Sequence, residues 1–314
     1  MSHDLVTVGE AMLRLSVPPG SRLEDSPTLD VTVAGAEANV AIAAVRMGRS
    51  AAWLSRLPVS PLGRRAAREI AGHGVDISHV RWTEDQRMGT YFVELAPAPR
   101  ATTVIYDRTD SAASAMSRDD VAWDEVEQAG VVHISGITPA LSDSCRDLAL
   151  EVVERARTCV LDINYRARLW SADAAKATLS DLAKGADVVI VTDEDAGDVF
   201  GIRGDANRVL EGMRETVGGG TVILTRGAEG AAWLTDDGHG SAPSFPADVV
   251  DRIGAGDAFA AGVAIGVLDR DIPSGVVRGL AMAALKLGMY GDQLRVEPSE
   301  VEALIAGEGR EVIR

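Results

Sequence analysis

Cysteine and lysine are nearly missing from this chain, and so is any sign of repetition. The two cysteines, Cys145 and Cys159, are too few for a disulfide framework and stand at no metal-ligand spacing, so both are read as buried small residues. The five histidines are scattered, and His73 and His79 lack a helical metal-binding interval, which argues against a structural zinc site. No low-complexity tract, heptad pattern or fixed-period repeat occurs, which removes a coiled coil or solenoid from consideration. The longest apolar stretch, Ala258 to Leu268, is too short to span a membrane. Ahead of the first strand, Met1-Ser2-His3-Asp4 shows neither a basic flank nor a leader-like apolar run, so a cytoplasmic location is expected.

Of 31 basic residues only Lys176, Lys184 and Lys286 are lysine, against 47 acidic residues and a net charge of −16. So negative a chain is a poor partner for nucleic acid or an anionic membrane, both of which require positive surface. An acid-rich, lysine-poor composition resembles that of proteins from salt-loving organisms, where dense carboxylates hold water and salt screens their repulsion. A high-GC genome gives the same preference for arginine, and composition leaves the two open. The 314 residues are 46% hydrophobic and 25% charged, which permits a large core in one domain or two.

What is present begins with strand and helix signals. Leu5 to Gly9 is a short apolar run ending in glycine, read as a buried strand that Glu10 to Leu15 extends. Leu29 to Val33 reads as a strand, Glu37 to Met47 as a helix closed by Gly48, Ala51 to Leu57 as a strand, and Leu62 to Gly72 as a helix. Thr90 to Leu95 and Thr102 to Tyr106 are β-rich, with Pro97 and Pro99 between them, and predict a hairpin without an intervening helix. From about Val131 onward, strands at Val131–Ser135, Thr158–Ile163, Val188–Val191 and Thr221–Thr225 alternate with helices such as Leu141–Arg157. Helices at Ala258–Leu268, Gly275–Leu287 and Ser299–Ile305 end the chain. This is the pattern of a doubly wound α/β domain, a mostly parallel sheet with helices on both faces. The early strand pairs suit a small accessory sheet, and a lid is its natural use.

The most informative stretch is Asp251 to Gly262, DRIGAGDAFAAG, read as following a strand at Ala247–Val250 and entering an apolar helix. Gly254-Ala255-Gly256 then lies at a helix N-terminus, where free N–H groups and the helix dipole attract phosphate and glycine allows close approach. A carboxylate at Asp257 would repel that phosphate unless it serves the chemistry, as a base deprotonating the attacking hydroxyl. Alternatives are a plain turn, Asp257 as an N-cap, or a dinucleotide fingerprint. Phe259 occupies the position at which the fingerprint needs a third small residue, and no glycine loop ends in Lys-Ser or Lys-Thr.

GAGDAFAAG resembles the C-terminal signature of the ribokinase-like (PfkB) carbohydrate kinases, and AGAEANVAIAAVRMG, Ala34 to Gly48, resembles their N-terminal signature. The likeness extends over nearly the whole chain and implies one ribokinase-like domain over residues 1–314, with lid strands from about 10–33 and 89–108. It implies that Asp257 is the catalytic base and that the Gly254, Ala255 and Gly256 amides form the anion hole. Gly35, Glu37 and Asn39 match sugar-binding positions, and Thr225 to Gly230, including Gly227, matches the nucleotide loop. ATP is the implied phosphoryl donor, with Mg²⁺ carried on its phosphates rather than in a carboxylate cage. Where relatives have two glycines this chain has Ala34-Gly35. Arg252 and Ile253 stand where many members have threonines, so whether a monovalent cation such as K⁺ binds nearby is left open.

Within the family, GTYFVE (Gly89–Glu94), VIYDRTDSAAS (Val104–Ser114), SGITPALS (Ser135–Ser142) and DINYRARLW (Asp162–Trp170) resemble 2-keto-3-deoxygluconate kinases. The resemblance implies that Tyr91, Tyr106, Arg108 and Arg166 surround an acidic sugar, that Asn164 and Arg166 border the nucleotide, and that Asp292 contacts sugar. An arginine fork suits a carboxylate, and tyrosine rings suit a carbon chain. Taken singly, the tyrosines are also ordinary packing residues and the arginines ordinary surface charges, and Arg166 suits phosphate as well as carboxylate. The expected reaction is transfer from ATP to the terminal hydroxyl of 2-keto-3-deoxygluconate or its galactonate epimer. A fructokinase or other neutral-sugar kinase, and more distantly a non-catalytic sensor, are the alternatives. A homo-oligomer joined through the lid is the expected assembly.

Overall fold

A computed structural model describes residues 2–96 and 99–308, so Pro97 lies outside the described residues. The chain opens with β1 (Leu5–Val8), β2 (Met12–Ser16) and β3 (Asp30–Ala34), then α1 (Ala36–Arg46). Next come β4 (Ala51–Leu54), β5 (Arg56–Pro58), α2 (Pro61–Gly72), β6 (Arg81–Thr83) and the hairpin of β7 (Gly89–Glu94) and β8 (Thr103–Asp107). Strand and helix then alternate through α3 (Trp123–Gln128), β9 (Val131–Ser135), α4 (Asp143–Arg155), β10 (Cys159–Asp162), α5 (Ala172–Gly185) and β11 (Val188–Thr192). They continue with α6 (Asp193–Asp198), α7 (Ala206–Val217), β12 (Thr221–Thr225) and a second hairpin, β13 (Ala231–Thr235) and β14 (Gly238–Ala242). Three helices close the chain: α8 (Ala255–Leu268), α9 (Ile272–Leu287) and α10 (Pro298–Ile305).

Eight strands form the main sheet in the order β14-β13-β12-β11-β10-β9-β1-β4, parallel from β12 to β4 and antiparallel at the β13–β14 edge. Successive strand side chains point to opposite faces, so each apolar run feeds two cores at once. Leu5, Val160, Val188 and Ile190 pack beneath α1, α8 and α9. Val6, Leu161, Val189 and Val191 pack against α4, α5 and α7 on the other side. That double demand is why these strands read as continuous hydrophobic runs. Helix α8 is apolar around its whole circumference because it is buried. Its Gly262 and Gly266 lie so close to Gly279 and Gly275 of α9 that a Cβ would come within 2.4–2.5 Å of the facing backbone.

A separate four-stranded sheet has the order β3-β2-β7-β8, with β2 and β7 parallel and the outer pairs antiparallel. The extension of the first strand expected over Glu10 to Leu15 is instead β2, which leaves the main sheet for this small one. The strand expected over Ala51 to Leu57 breaks into β4 and β5. The strand expected at Ala247 to Val250 is absent: Pro243 and Pro246 lack donors, and Val249 is 52% exposed. That segment is tied instead by the Val250 and Asp251 amides, both donating to the Leu287 carbonyl at 2.8 and 3.1 Å. Cys145 and Cys159 are free and buried. No helix among the described residues is long and apolar enough to cross a membrane.

Candidate active site

In an open parallel sheet the carboxyl ends of the strands leave a crevice where loops converge. Here that crevice is a cleft of about 350 Å³, floored by the ends of β1, β10, β11 and β12 and by the start of α8, and walled by the small sheet. Gly35, Asn39, Tyr91, Tyr106, Arg108, Asn164, Arg166, Thr225, Gly254, Gly256, Asp257 and Asp292 all line it.

The turn into α8 leaves backbone donors exposed at a helix start. Gly254 is the N-cap, with φ +89°, and a Cβ there would lie 1.9 Å from the Asp292 carbonyl oxygen, so only glycine fits. The Ala255 amide leans toward the Arg252 carbonyl at 3.4 Å, and the first helical bond is Ala258 N–H to Gly254 O at 3.0 Å. The Gly256 and Asp257 amides have no acceptor among the described residues, which leaves two donors at the positive end of a 14-residue helix. Asp257 stands in the first turn, not at the cap, and its Oδ2 accepts a 2.7 Å hydrogen bond from Asn39 Nδ2. Burial pushes its pKa up to about 6, with Asp292 adding to the rise and Asn39 and Arg166 opposing it.

Asp162 and Asp195 share this end of the cleft. Asp162 is pushed up to about 8 by burial and by the charges of Asp257 and Asp195, and it accepts from Asn164 Nδ2 at 3.2 Å. Burial raises Asp195 to about 6. It begins three residues after Thr192, whose hydroxyl caps α6 through the Asp195 amide at 2.9 Å. Arg166 is exposed and electrostatically coupled to all three carboxylates, with its Nη1 on its own neighbour's carbonyl, Tyr165 O, at 3.1 Å.

The opposite end is aromatic and cationic. The Tyr91 and Tyr106 rings stack with centroids 5.6 Å apart, and the Arg108 guanidinium sits 4.9 Å over Tyr106. Arg108 is buried, pairs with Glu10 at 2.9 Å, and keeps its Nε without an acceptor. The pairing is off the hydrogen-bond direction, so both buried Glu10 oxygens also retain unfilled acceptor capacity. The Tyr91 hydroxyl donates to Asp292 Oδ2 at 2.6 Å, and Arg14 Nη1 holds Oδ1 at 2.6 Å.

Four expected site residues do not line the cleft. Glu37 is fully buried, and its Oε1 accepts from the Ser135 amide and hydroxyl and from the Thr138 hydroxyl at 3.1, 2.7 and 2.9 Å; it braces α1 against β9 instead of facing the cleft. Ala255 was expected to offer its amide to the anion, and that amide leans instead toward the Arg252 carbonyl. Gly227 opens a 3-10 turn (Gly227–Glu229) beyond Thr225 and Gly230 closes it, and a Cβ on Gly230 would meet the Ala242 carbonyl at 2.1 Å, which assigns it to packing against β14. Sequence reasoning missed Glu10, Asp162 and Asp195. Their shared signal was available: each follows or ends a β1, β10 or β11 strand run, where crevice residues belong.

A family model described as pfkB family carbohydrate kinase matches residues 2–299. A 2-dehydro-3-deoxygalactonokinase of Haloferax volcanii is 42% identical over 312 residues, covering 98% of each chain. A 2-dehydro-3-deoxygluconokinase of Thermoproteus tenax is 33% identical over 306 residues, covering 96% of this chain and 94% of the relative. Among solved structures, the 2-dehydro-3-deoxygluconokinase of Thermotoga maritima is 31% identical, with a TM-score of 0.92 and coverage of 98% of this chain and 99% of its own.

Proposed function

This chain belongs to the pfkB family of carbohydrate kinases, and from that premise we propose that it phosphorylates the terminal hydroxyl of 2-keto-3-deoxygluconate or its galactonate epimer, with ATP as donor. One observation carries the reading: two unpaired amides, those of Gly256 and Asp257, lie at a helix start beside a carboxylate that Asn39 holds in the cleft. The hydroxyl oxygen attacks the γ-phosphorus, the bond from phosphorus to the ADP oxygen breaks, and the hydroxyl proton passes to Asp257. The amides and the helix dipole hold the charge on the phosphoryl oxygens while they move.

The two ends of the cleft divide the work. Arg108, with a free Nε over the stacked tyrosines, is the donor for the sugar carboxylate, and Glu10 and Asp292 accept from sugar hydroxyls. Arg166, next to Asp162, Asp195 and Asp257, serves the phosphates. Among the described residues no cluster of three or more His, Cys, Asp or Glu is arranged to hold a metal ion. Mg²⁺ would come with the nucleotide, faced by Asp162 and Asp195, whose raised pKa values a nearby cation would relieve. When bound, it neutralises phosphate charge.

The small sheet acts as the lid, in a single domain, and its exposed β8 edge with Ile105 outward is the surface for pairing with a second copy. Location in the cytoplasm goes with this reading. The acid-rich composition suits a high-salt cytoplasm.

A coupled ADP-release assay over both keto-acid epimers, fructose and ribose tests the substrate. The keto acids should be turned over with the higher kcat/KM, and Arg108→Ala should raise KM for the keto acid at least ~10-fold while leaving KM for ATP nearly unchanged, the scale of losing a charge-assisted hydrogen bond. Fructose used as well as the keto acids would transfer the assignment to a neutral-sugar kinase.

A further inference from the structure

Beneath the phosphate turn lies a buried group that the chemistry above does not use. Lys286 of α9 is fully buried, and its Nζ donates to two main-chain carbonyls, Asp251 O and Met289 O, each at 3.2 Å. Asp251 is equally engaged. Its Oδ1 accepts from the Ile253 amide and its Oδ2 from the Gly291 amide, both at 3.1 Å, while Arg14 Nη2 lies 2.6 Å from Oδ2. These bonds tie residues 251–254 to residues 289–292, and the two segments pack so closely that a Cβ on Gly254 would meet the Asp292 carbonyl.

The choice of lysine is informative in a chain where only three of 31 basic residues are lysine. The other two, Lys176 and Lys184, are exposed on α5. An ammonium is a compact point charge that can sit between two carbonyls, whereas a guanidinium is a broad planar fork. The geometry at this place therefore asks for a small monovalent cation, and the chain supplies one covalently. A free K⁺ does not fit here, because Nζ already holds the carbonyls it would need.

Resting on the kinase reading, we propose that Lys286 is a built-in monovalent cation: a positioning residue whose ammonium fixes the 251–254 turn, so that phosphoryl transfer does not depend on K⁺. Removing the amine leaves two carbonyls, and the Asp251 carboxylate behind them, around a space that a free cation can occupy.

The test is ADP release at one fixed ionic strength in KCl, NaCl or choline chloride, with the wild type, Lys286→Ala and Lys286→Met. Wild-type kcat should be the same in all three salts. In choline, Lys286→Ala should lose about 10- to 100-fold in kcat, the cost of misplacing a reacting group by a fraction of an ångström to one ångström, with KM for the sugar little changed. K⁺ or NH₄⁺ should restore it saturably, and Lys286→Met, which fills the space with an apolar chain, should not respond. Saturable activation of the wild type by K⁺ over choline overturns the proposal, and this arm needs no variant to fold. A folded Lys286→Ala enzyme with unchanged kcat, or one indifferent to K⁺ and NH₄⁺, overturns it as well. Absence of wild-type ADP release on every sugar in every salt counts instead against the kinase reading.

Discussion

As the proposed base, Asp257 has to be charged to accept a proton, yet its surroundings disfavour charge. Burial and the nearby Asp292 carboxylate raise its pKa to about 6, while the Asn39 amide and Arg166 keep it from rising further. The result is a carboxylate far more basic than an exposed aspartate and still ionised at neutral pH, which is the compromise a general base requires. The active form is the deprotonated one, so kcat should be flat above neutrality and fall as pH drops through about 6, roughly tenfold per unit. Asp257→Asn keeps the shape and removes the basicity. It should bind ATP nearly as the wild type does and lose about 10²-fold or more in kcat, the usual loss for a general base. It should also lose the acid limb at 6. Residual activity near wild type in a folded variant would remove Asp257 from the chemistry.

At the scale of elements, the turn into α8 separates architecture from function within three residues. Gly254 has φ +89° and a Cβ on it would collide with the Asp292 carbonyl, so Gly254→Ala should destabilise the fold as well as abolish activity. Gly256 is helical, and a Cβ there meets nothing within 4 Å. Gly256→Ala should therefore melt at or above the wild-type temperature, by up to about 1 kcal/mol of helix propensity, while its methyl group on the cleft side raises KM for ATP. Thermal melts paired with ATP titrations separate the two; equal damage to both properties at Gly256 would mean that the amides are not the anion site. The GAGD turn was legible as glycines opening an apolar helix, and it was the family resemblance that set it apart from a plain turn, an N-cap or a dinucleotide fingerprint. The parallel strands were legible because burial on both faces leaves no polar alternation to confuse them. β14 was missed because Gly238–Ala242 is glycine-rich and polar with only partial burial, whereas β13, AAWLT and nearly all buried, carried an apolar signal that was passed over. Glu37 was misassigned through its nearness to Gly35 and Asn39. Residues two apart on a helix point to opposite sides, so if Asn39 faces Asp257, Glu37 faces the sheet. Lys286, Asp251 and Arg14 are separated by up to 272 positions in the chain, and no local pattern announces that they meet.

For the molecule as a whole, the cleft and the Glu37 brace should make the ligand-free protein less stable at alkaline pH than near neutrality. Asp162 titrates at about 8 and Glu37 at about 7 when folded, both raised mainly by burial, whereas in the unfolded chain each would lose its proton at ordinary carboxylate values. Above pH 8 both states are deprotonated and the folded one carries the cost of buried charge. As pH falls through 8 and then 7, the folded state takes up protons that the unfolded state does not, and stability rises. His133 acts in the opposite direction, because burial lowers it to about 4, but it contributes only below its ordinary value of 6.5. Between pH 8.5 and 6.5 the carboxyl groups therefore act unopposed by it, and reduced net charge on a chain at −16 adds to their effect. The expected gain is on the order of 2 kcal/mol, a rise of a few degrees in Tm across that interval at fixed ionic strength. Asp162→Asn, which cannot ionise, should be more stable than wild type at pH 8.5 and should show a flatter profile. A wild-type Tm that holds level or falls from pH 8.5 to 6.5 would mean that these carboxyls are solvated in the empty cleft, and that the electrostatic pressure which Mg²⁺ and Arg166 are proposed to relieve does not exist.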